Sequence, residues 1–307
     1  MNERLRLTYA ADLLTDRIRE ALYYVSPSER ESISELRLRR GRYFSAVLYG
    51  REYFPTPEGK LMNSPQNGIE VTPQDIETAY VSAFKGSVHA YPREQSEGYI
   101  TTRGGNRIGF SGTAVVDKTS GDVTAVRKIS SMNIRIAREV RDCARPIYDR
   151  AFAEGLSSLI VCSPPCGGKT TVLRDLSRLL GAEHRVSLID ERGELACSEE
   201  GVPQNDVGVH TDVFDCYPRR HAIVTAVRTM SPEIIICDEI GAKNDLDALE
   251  YALDSGVKLV CSCHAGTLDE LKKRSAPARL IKDKVLSYAA FLGTGNSCGR
   301  LREFYKL

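Results

Sequence analysis

The residues best suited to chemistry form one glycine-rich stretch that ends in lysine and threonine. In full it is Ser163-Pro164-Pro165-Cys166-Gly167-Gly168-Lys169-Thr170-Thr171. Backbone N–H groups at such a turn point toward an anion, and glycine lets the backbone come close without a Cβ clash. The stretch predicts a phosphate-binding loop, in which Lys169 contacts the β- and γ-phosphates and the Thr170 hydroxyl holds Mg²⁺. The other interpretation is an ordinary turn between a strand and a helix.

The flanks of this stretch supply the elements that a phosphate-binding loop requires. The apolar run 158–162 predicts a buried strand, and residues 172–180 have the apolar spacing of a helix that ends at Gly181. A strand, a glycine-rich turn and a helix opening on Lys-Thr are the context of a P-loop. The strict pattern has glycine where Ser163 stands, so the match is imperfect.

Polar side chains follow three further apolar runs, at 186–190, 233–237 and 257–263. These side chains are Glu191, Glu194, Asp238, Glu239 and His264. We expect the runs to be strands of one parallel sheet, with helices such as 245–253 between them. Ligands bind at the carboxyl ends of such strands, so the sequence predicts that these side chains surround the phosphate-binding loop.

Residues 234–239 resemble a Walker B segment, an apolar strand that ends in two acids. Asp238 would hold Mg²⁺ through water, because Mg²⁺ keeps several of its waters. Glu239 would polarise the attacking water. The alternative is that this acid pair only caps the following helix.

His264 ends its apolar run beside two cysteines, which leaves more than one interpretation. It could sense a γ-phosphate, belong to a Cys/His metal site, or be structural. Strand alternation directs Cys261 and Cys263 to one face, usually a core face, and no second Cys-x-x-Cys is present. The sequence therefore favours phosphate sensing over metal binding.

The first half of the chain predicts a smaller α+β domain. Helical spacing covers 9–24, alternation predicts a strand at 35–39, and 55–68 is a loop rich in proline, glycine and asparagine. Thr72 is a predicted helix N-cap, followed by Pro73 and Asp75. Residues 98–102 and 107–116 predict a hairpin around Gly104-Gly105-Asn106, with another strand at 134–136. We expect a helix over 138–152 to link the halves, with the domain boundary near residue 150.

Basic residues recur in this first half. They are Arg103, Arg107, Arg127, Lys128, Arg135, Arg138 and Arg141. They could form a solvated face. Alternatively, some of them touch nucleotide phosphates across a domain or subunit interface.

Composition indicates a soluble globular protein of two domains. The chain has 307 residues, 42% hydrophobic and 27% charged, with a formal charge of +1 that argues against general nucleic-acid coating. Nine cysteines without paired spacing predict a reducing cytosol. No signal peptide and no apolar run of membrane-spanning length is seen, so we expect any membrane role to be peripheral.

Several motifs together resemble the stage III sporulation protein AA family of endospore-forming bacteria. They are GYITTRGGNRIG at 98–109, SMNIRIA at 131–137, IDERGE at 189–194, VPQ at 202–204, VG at 207–208, TDV at 211–213, RTMSP at 228–232 and DEIG at 238–241. The resemblance covers most of the chain. The sequence departs from the family at Ser163 and Cys166, where glycine is usual, and at Asn106, where histidine is expected.

That family is in turn similar to the secretion ATPases of type II and type IV systems, which are hexameric motors. The resemblance implies an amino-terminal domain stacked on a RecA-like core, with an "Asp box" at 189–194 and a "His box" at 263–266. It implies that Arg228 supports residues that contact the nucleotide and that Arg135 approaches the nucleotide itself. The main base is left open among Glu191, Glu194 and Glu239.

The function implied by the resemblance is ATP hydrolysis with Mg²⁺. It would power a channel between mother cell and forespore, with membrane proteins as partners and the motor at the cytoplasmic side. Three other functions are weighed against it. A small-molecule kinase would need a lid and an acceptor pocket, and a nucleotide-gated scaffold would have turnover weakened by Ser163 and Cys166. A nucleic-acid translocase would show salt-dependent DNA affinity.

Overall fold

The contacts of the chain divide it into two units, with the boundary along the sequence between Arg138 and Glu139. The structure is a computed structural model that describes residues 3–240 and 245–307. The described residues form two seven-stranded sheets, one in each unit. Gly241, the last residue of the DEIG motif, lies outside the described residues.

The predicted boundary near residue 150 falls inside the second unit. Helix α6 is confined to Arg145–Ala151, shorter than the predicted 138–152, because Pro146 fits only the first turn of a helix. Ile147 and Ala151 of this helix are buried in one apolar cluster with Leu159. This packing makes the helix part of the second unit rather than a link between units.

The first unit has an antiparallel sheet with the strand order β4-β3-β2-β1-β7-β6-β5. Its strands are β1 Ile33–Arg39, β2 Ser45–Leu48, β3 Arg51–Pro55, β4 Leu61–Met62, β5 Tyr99–Thr102, β6 Asn106–Val116 and β7 Val123–Arg135. Its helices are α1 Glu3–Ala11, α2 Asp16–Tyr24, α3 Pro27–Ser32, α4 Pro73–Ala83 and α5 Pro92–Glu97. The core includes Ile18, Leu36 and Ile134, which are buried between the helices and the sheet.

Local signals explain most of these elements, with two corrections. Thr72 and Asp75 form the capping box that begins α4. The predicted helix over 9–24 is instead two helices, because Thr15 is extended and starts α2. Strand β7 begins at Val123, well before the predicted 134–136. Its first half was not predicted because it is largely exposed and lacks a clean apolar alternation.

The predicted hairpin around Gly104 joins β5 to β6 in antiparallel register, with Thr102 opposite Asn106. Gly104 has φ +83°, a left-handed conformation that favours glycine. The Asn106 side chain is buried, donates to the carbonyl of Arg6 at 2.7 Å and accepts from the Ala137 N–H at 3.0 Å. Asn106, which stands where histidine was expected, therefore holds three segments of the first unit together.

The second unit has a sheet with the order β10-β9-β11-β12-β8-β13-β14. Its strands are β8 Leu159–Cys162, β9 Val186–Asp190, β10 Thr211–Asp215, β11 Ile234–Cys237, β12 Lys258–Cys263, β13 Tyr288–Leu292 and β14 Leu301–Lys306. Besides α6, its helices are α7 Lys169–Leu180, α8 Arg219–Thr229, α9 Asp245–Asp254, α10 Leu268–Lys273 and α11 Ser275–Lys282.

The strands of this sheet pair in parallel from β10 to β13, and β14 closes the sheet by pairing antiparallel with β13. The parallel strands β8, β9, β11 and β12 match the prediction, whereas β10 was not predicted as a strand. Parallel pairing brings the carboxyl ends of β8, β9, β11 and β12 to one edge. In the described part of the chain, no helix is both long and apolar enough to cross a bilayer.

Candidate functional site

The loop between β8 and α7 has the backbone that a phosphate-binding turn requires. Gly168 has φ +85°, and a Cβ there would lie 2.8 Å from the Cα of Gly299. A Cβ on Gly167 would lie 2.3 Å from Ser163 Oγ. Both positions therefore exclude larger residues, and the loop leads directly into the amino terminus of α7, where N–H groups favour an anion.

The two departures from the strict loop pattern are accommodated locally. Ser163 is 1% exposed, and its hydroxyl donates to the carbonyl of Pro164 at 2.8 Å. The buried hydroxyl therefore has a hydrogen-bond partner. Cys166 has φ +58°, in the left-handed region that favours glycine. A side chain there costs on the order of 1 kcal/mol. The loop keeps its shape with serine and cysteine at these two positions.

Lys169 is the buried cation of this loop, with 7% of its surface exposed. Its Nζ lies 3.0 Å from Nδ1 of His264 and 3.5 Å from the carbonyls of Ser163 and Pro164. Burial lowers the pKa of Lys169, and the nearby charge of Asp238 partly offsets that effect. A charge held in such surroundings interacts strongly with an anion that reaches it.

His264 connects this lysine to Glu239. Its Nε2 lies 3.3 Å from Oε2 of Glu239, while its Nδ1 faces the Lys169 ammonium. An ammonium can only donate, so Nδ1 accepts and Nε2 carries the proton that faces the carboxylate. These two partners fix the tautomer of His264. Lys169, His264 and Glu239 therefore form one row, with the imidazole ring between the ammonium and the carboxylate.

A second row joins Thr170, Asp238 and Ser262. The Thr170 hydroxyl lies 3.4 Å from Asp238 Oδ2, and the Ser262 hydroxyl donates to Asp238 Oδ1 at 2.7 Å. These are carboxylate and hydroxyl oxygens, the donor type that Mg²⁺ prefers. The residues present therefore fit a magnesium ion beside the loop.

Arg219 was not predicted from the sequence, and it connects the loops that follow β9 and β11. Its guanidinium lies 2.8 Å from Glu191 Oε2 and donates to the Glu239 carbonyl at 2.7 Å. Arg192 approaches Glu239 more loosely, at 4.0 Å. Arg219 occupies the first position of α8, where a cation opposes the helix dipole. That unfavourable placement was a signal in the sequence.

Glu194 takes a different position from Glu191. Its N–H donates to Asp190 Oδ1 at 2.8 Å, and its carbonyl accepts from Arg174 of α7 at 2.7 Å. Its backbone thus closes the turn after β9 against α7. The structure brings Lys169, Thr170, Asp238, Glu239 and His264 together in contact, adds Glu191 through Arg219, and places Glu194 in the adjoining turn.

The two arginines implied by the family resemblance do not join this cluster within its own unit. Arg228 lies in the last turn of α8, which leads back to the start of β11, at the opposite edge of the sheet from Lys169. Its guanidinium stands 5.9 Å from the Tyr251 ring centroid. The role implied for Arg228 therefore stays a prediction. Arg135 is an exposed residue of β7 in the first unit, opposite Arg107.

The cysteines beside His264 belong to the core. Cys261 and Cys263 are buried in the apolar cluster that also contains Cys162 and Cys237. Burial raises the pKa of Cys162, Cys261 and Cys263, which keeps their thiols protonated. Within residues 3–240 and 245–307, no three His, Cys, Asp or Glu side chains are grouped so as to hold a metal ion.

Comparison with solved structures shows that this chain has a RecA-like fold similar to that of solved ATPases. The ATPase DotB of Legionella pneumophila matches with a TM-score of 0.54 and 13% identity, over 94% of this chain and 79% of that one. The pilus retraction motor PilT, solved with bound ADP, matches with a TM-score of 0.54 and 15% identity, over 90% of this chain and 76% of that one. At such identities the likeness is one of fold.

The particular family follows from sequence comparison. The family model for sporulation stage III, protein AA, matches residues 6–307, and the chain belongs to this family. The stage III sporulation protein AA of Bacillus subtilis (strain 168) is 30% identical over 301 residues, which are 96% of this chain and 94% of that protein. The predicted family and the RecA-like fold are thereby confirmed.

Proposed function

We propose that this protein hydrolyses ATP with Mg²⁺ and that the hydrolysis drives a channel between mother cell and forespore. The observation that carries the proposal is the convergence of Lys169, His264 and Glu239 in one row beside the Thr170–Asp238 contact. These groups come from separate strand ends, yet they meet around one phosphate-binding turn. A cation, a carboxylate and a magnesium site in such proximity suit phosphoryl transfer to water.

The loop and the second row would hold the nucleotide and its metal. Gly167, Gly168 and the start of α7 offer backbone N–H groups, and Lys169 adds a positive charge for the β- and γ-phosphates. Thr170 and Asp238 would hold Mg²⁺, with Ser262 orienting the carboxylate. Bound Mg²⁺ would neutralise charge that develops on the phosphate oxygens.

Glu239 is the carboxylate best placed to accept a proton from an attacking water. Its contact with the Nε2–H of His264 orients it, and His264 in turn faces the lysine of the loop. Glu191, bound by Arg219, is assigned to shaping the site from the next strand. Glu194 is assigned to the turn that supports Glu191, because its backbone bonds to Asp190 and Arg174.

The motor would act as a homo-oligomer, which we infer to be a hexamer, at the cytoplasmic side of a membrane. Family membership and the secretion-ATPase fold support this assignment. Arg135, which lies in the first unit, would contact the nucleotide. A neighbouring subunit would also supply an arginine. Membrane proteins of the sporulation channel would receive the motion. Size in solution with and without Mg·ATP tests the assembly.

The substitution Lys169→Ala tests the enzymatic proposal directly. It removes the charge that grips the phosphates, so Mg-dependent phosphate release should fall by about 100-fold or more. Lys282→Ala, which changes an exposed lysine on α11, is the matched control and should keep full activity. Unchanged turnover in Lys169→Ala would overturn the assignment. Nucleotide binding by the wild-type protein without turnover would instead favour the scaffold.

A further inference from the structure

The turn that connects β13 to β14 lies against the phosphate-binding loop. The Cys298 thiol donates to the carbonyl of Cys166 across 3.2 Å, and the Gly299 N–H donates to the carbonyl of Gly167 across 3.1 Å. The close approach of Gly299 to Gly168 continues this contact. Two consecutive residues of the turn therefore run beside two consecutive residues of the loop.

Both cysteines at this contact are exposed, unlike the cysteines behind the loop. Cys162 and Cys263 are buried, and burial raises the pKa of both thiols. Thiol reactivity follows thiolate formation and access, so the exposed pair is open to reagents that the buried cysteines resist. Cys166 and Cys298 are also immediate neighbours of each other.

We propose that Cys166 and Cys298 form a thiol modification site at the mouth of the phosphate-binding loop, where a low-molecular-weight disulfide converts them into an intramolecular disulfide. Backbone segments joined by N–H···O bonds lie about 5 Å apart, within the Cα separation of about 4.4–6.8 Å that disulfides span. The Cys298 thiol already lies 3.2 Å from the Cys166 carbonyl oxygen, and both side chains are exposed and free to rotate.

The chemistry is two successive thiol–disulfide exchanges with glutathione disulfide as the oxidant. The Cys298 thiolate attacks one glutathione sulfur, forms a mixed disulfide and releases one glutathione thiolate. The Cys166 thiolate then attacks the Cys298 sulfur and releases the second glutathione. Two protein thiols are oxidised by two electrons, one glutathione disulfide is reduced, and two protons leave the protein thiols and appear on the two glutathiones.

The cross-link would act on the loop itself. It would fix residue 166 to the turn, two residues before Gly168, where Gly299 already fills the space of a side chain. A loop held in this way cannot adjust around a phosphate chain, so oxidation would block the site. This consequence rests on the proposed nucleotide function, whereas formation of the disulfide does not.

The first experiment maps the bond without using nucleotide. The full-length protein is incubated with glutathione disulfide, its remaining thiols are alkylated, and tryptic peptides are analysed under non-reducing conditions. The expected product joins the peptides 151–169 and 285–300, which carry Cys166 and Cys298, and it disappears after reduction. Because Cys162 shares the first peptide, fragmentation assigns the cross-linked sulfur to Cys166.

Three variants make the mapping decisive. Cys166→Ser and Cys298→Ser should each lose the cross-link, and the remaining cysteine should carry a glutathione adduct instead. Cys216→Ser removes another exposed cysteine, whose thiol faces Asp215 at 3.8 Å, and should leave the cross-link intact. A wild-type protein in which Cys216 becomes glutathionylated while Cys166 and Cys298 stay unlinked would overturn the proposal.

A second readout separates this inference from the proposed function. Binding of a fluorescent ATP analogue should weaken by about tenfold or more in the oxidised wild type, recover on reduction, and remain unchanged by oxidation in Cys166→Ser. Cross-linked protein with full affinity would overturn the regulatory consequence and keep the bond. Reduced protein that never binds the analogue would overturn the nucleotide function while the mapped disulfide stands.

Discussion

An aspartate stands at the carboxyl end of each of two neighbouring strands in the second unit, Asp190 as the last residue of β9 and Asp238 directly after β11, and the two have opposite roles. Asp190 at the end of β9 is 2% exposed and accepts the N–H groups of residues 194, 195 and 196, at 2.8, 3.0 and 2.8 Å. Asp238, directly after β11, is half-buried and meets the hydroxyls of Thr170 and Ser262. The Asp190 carboxylate is bound by the backbone of its own loop, whereas the Asp238 carboxylate faces the candidate site.

The partners of each carboxylate decide whether it can bind a ligand at this edge of the sheet. A carboxylate that accepts three backbone N–H groups has few lone pairs left for a ligand. Asp238 accepts a single backbone N–H, from Glu239 at 2.9 Å, and otherwise meets hydroxyl groups, which it can exchange for a metal ion. We therefore assign Asp190 to holding the loop that presents Glu191, and Asp238 to the proposed magnesium site.

The largest expected effect is on activity, at Asp238. Asp238→Asn should lower Mg-dependent ATP turnover by about 100-fold, because an amide is a poor magnesium ligand, while the free energy of unfolding changes by less than about 1 kcal/mol. Phosphate release at varied Mg²⁺ and urea denaturation measure the two quantities. Full turnover combined with a large loss of stability would reverse the roles given to the two aspartates.

The next effect is on stability, at Asp190. Asp190→Ala leaves three backbone N–H groups without their acceptor and should destabilise the second unit by about 3 kcal/mol. Amide hydrogen exchange at residues 194–196 should accelerate most, since these are the donors. Asp212→Ala, an exposed position on β10, is the control. Unchanged protection of these amides would remove the structural role of Asp190.

The sequence predicts the elements of this site better than their contacts. The loop, the strand ends and the Thr72 capping box have local signals of spacing and residue type, and the structure places them as predicted. The contacts of Arg219 and Ser262 depend instead on β11 lying between β9 and β12, an order that is not the order along the chain. Nothing local distinguishes an acid that binds its own loop from one that faces the site.

The same limit applies to Arg228, whose role is implied by the family resemblance. It precedes β11 whereas Asp238 follows that strand, and a strand carries its two flanks to opposite edges of a sheet. The antiparallel arm of β7 was missed for another reason. Its exposed half is stabilised by pairing with β6 rather than by burial of one face, so it carries no apolar alternation to detect.

A buried aspartate in the first unit extends the comparison to pH. Asp75 is 1% exposed, and although burial raises its pKa, hydrogen bonds from Arg17, Thr15 and Thr72 outweigh that and lower it to about 2. The Arg17 guanidinium contacts this carboxylate directly, and the Thr15 hydroxyl lies 2.5 Å away. Asp190 lacks such a partner among its bonds; its burial raises its pKa above 3.8, although its backbone hydrogen bonds oppose this.

The smallest expected effect is the opposite pH dependence of these two carboxylates. The Asp75 pKa is depressed on folding, so its contribution of about 2 kcal/mol is complete above pH 4 and is lost as pH falls toward 2. The Asp190 pKa is raised, so the contribution of that group declines as pH rises through the interval above 3.8. Amide exchange followed in each unit across acid pH measures both. Asp75→Asn should flatten the acid loss in the first unit, whereas Glu20→Gln, on the exposed side of α2, should not. Identical pH profiles for Asp75→Asn and wild type would show that the guanidinium contact with Asp75 does not govern acid stability.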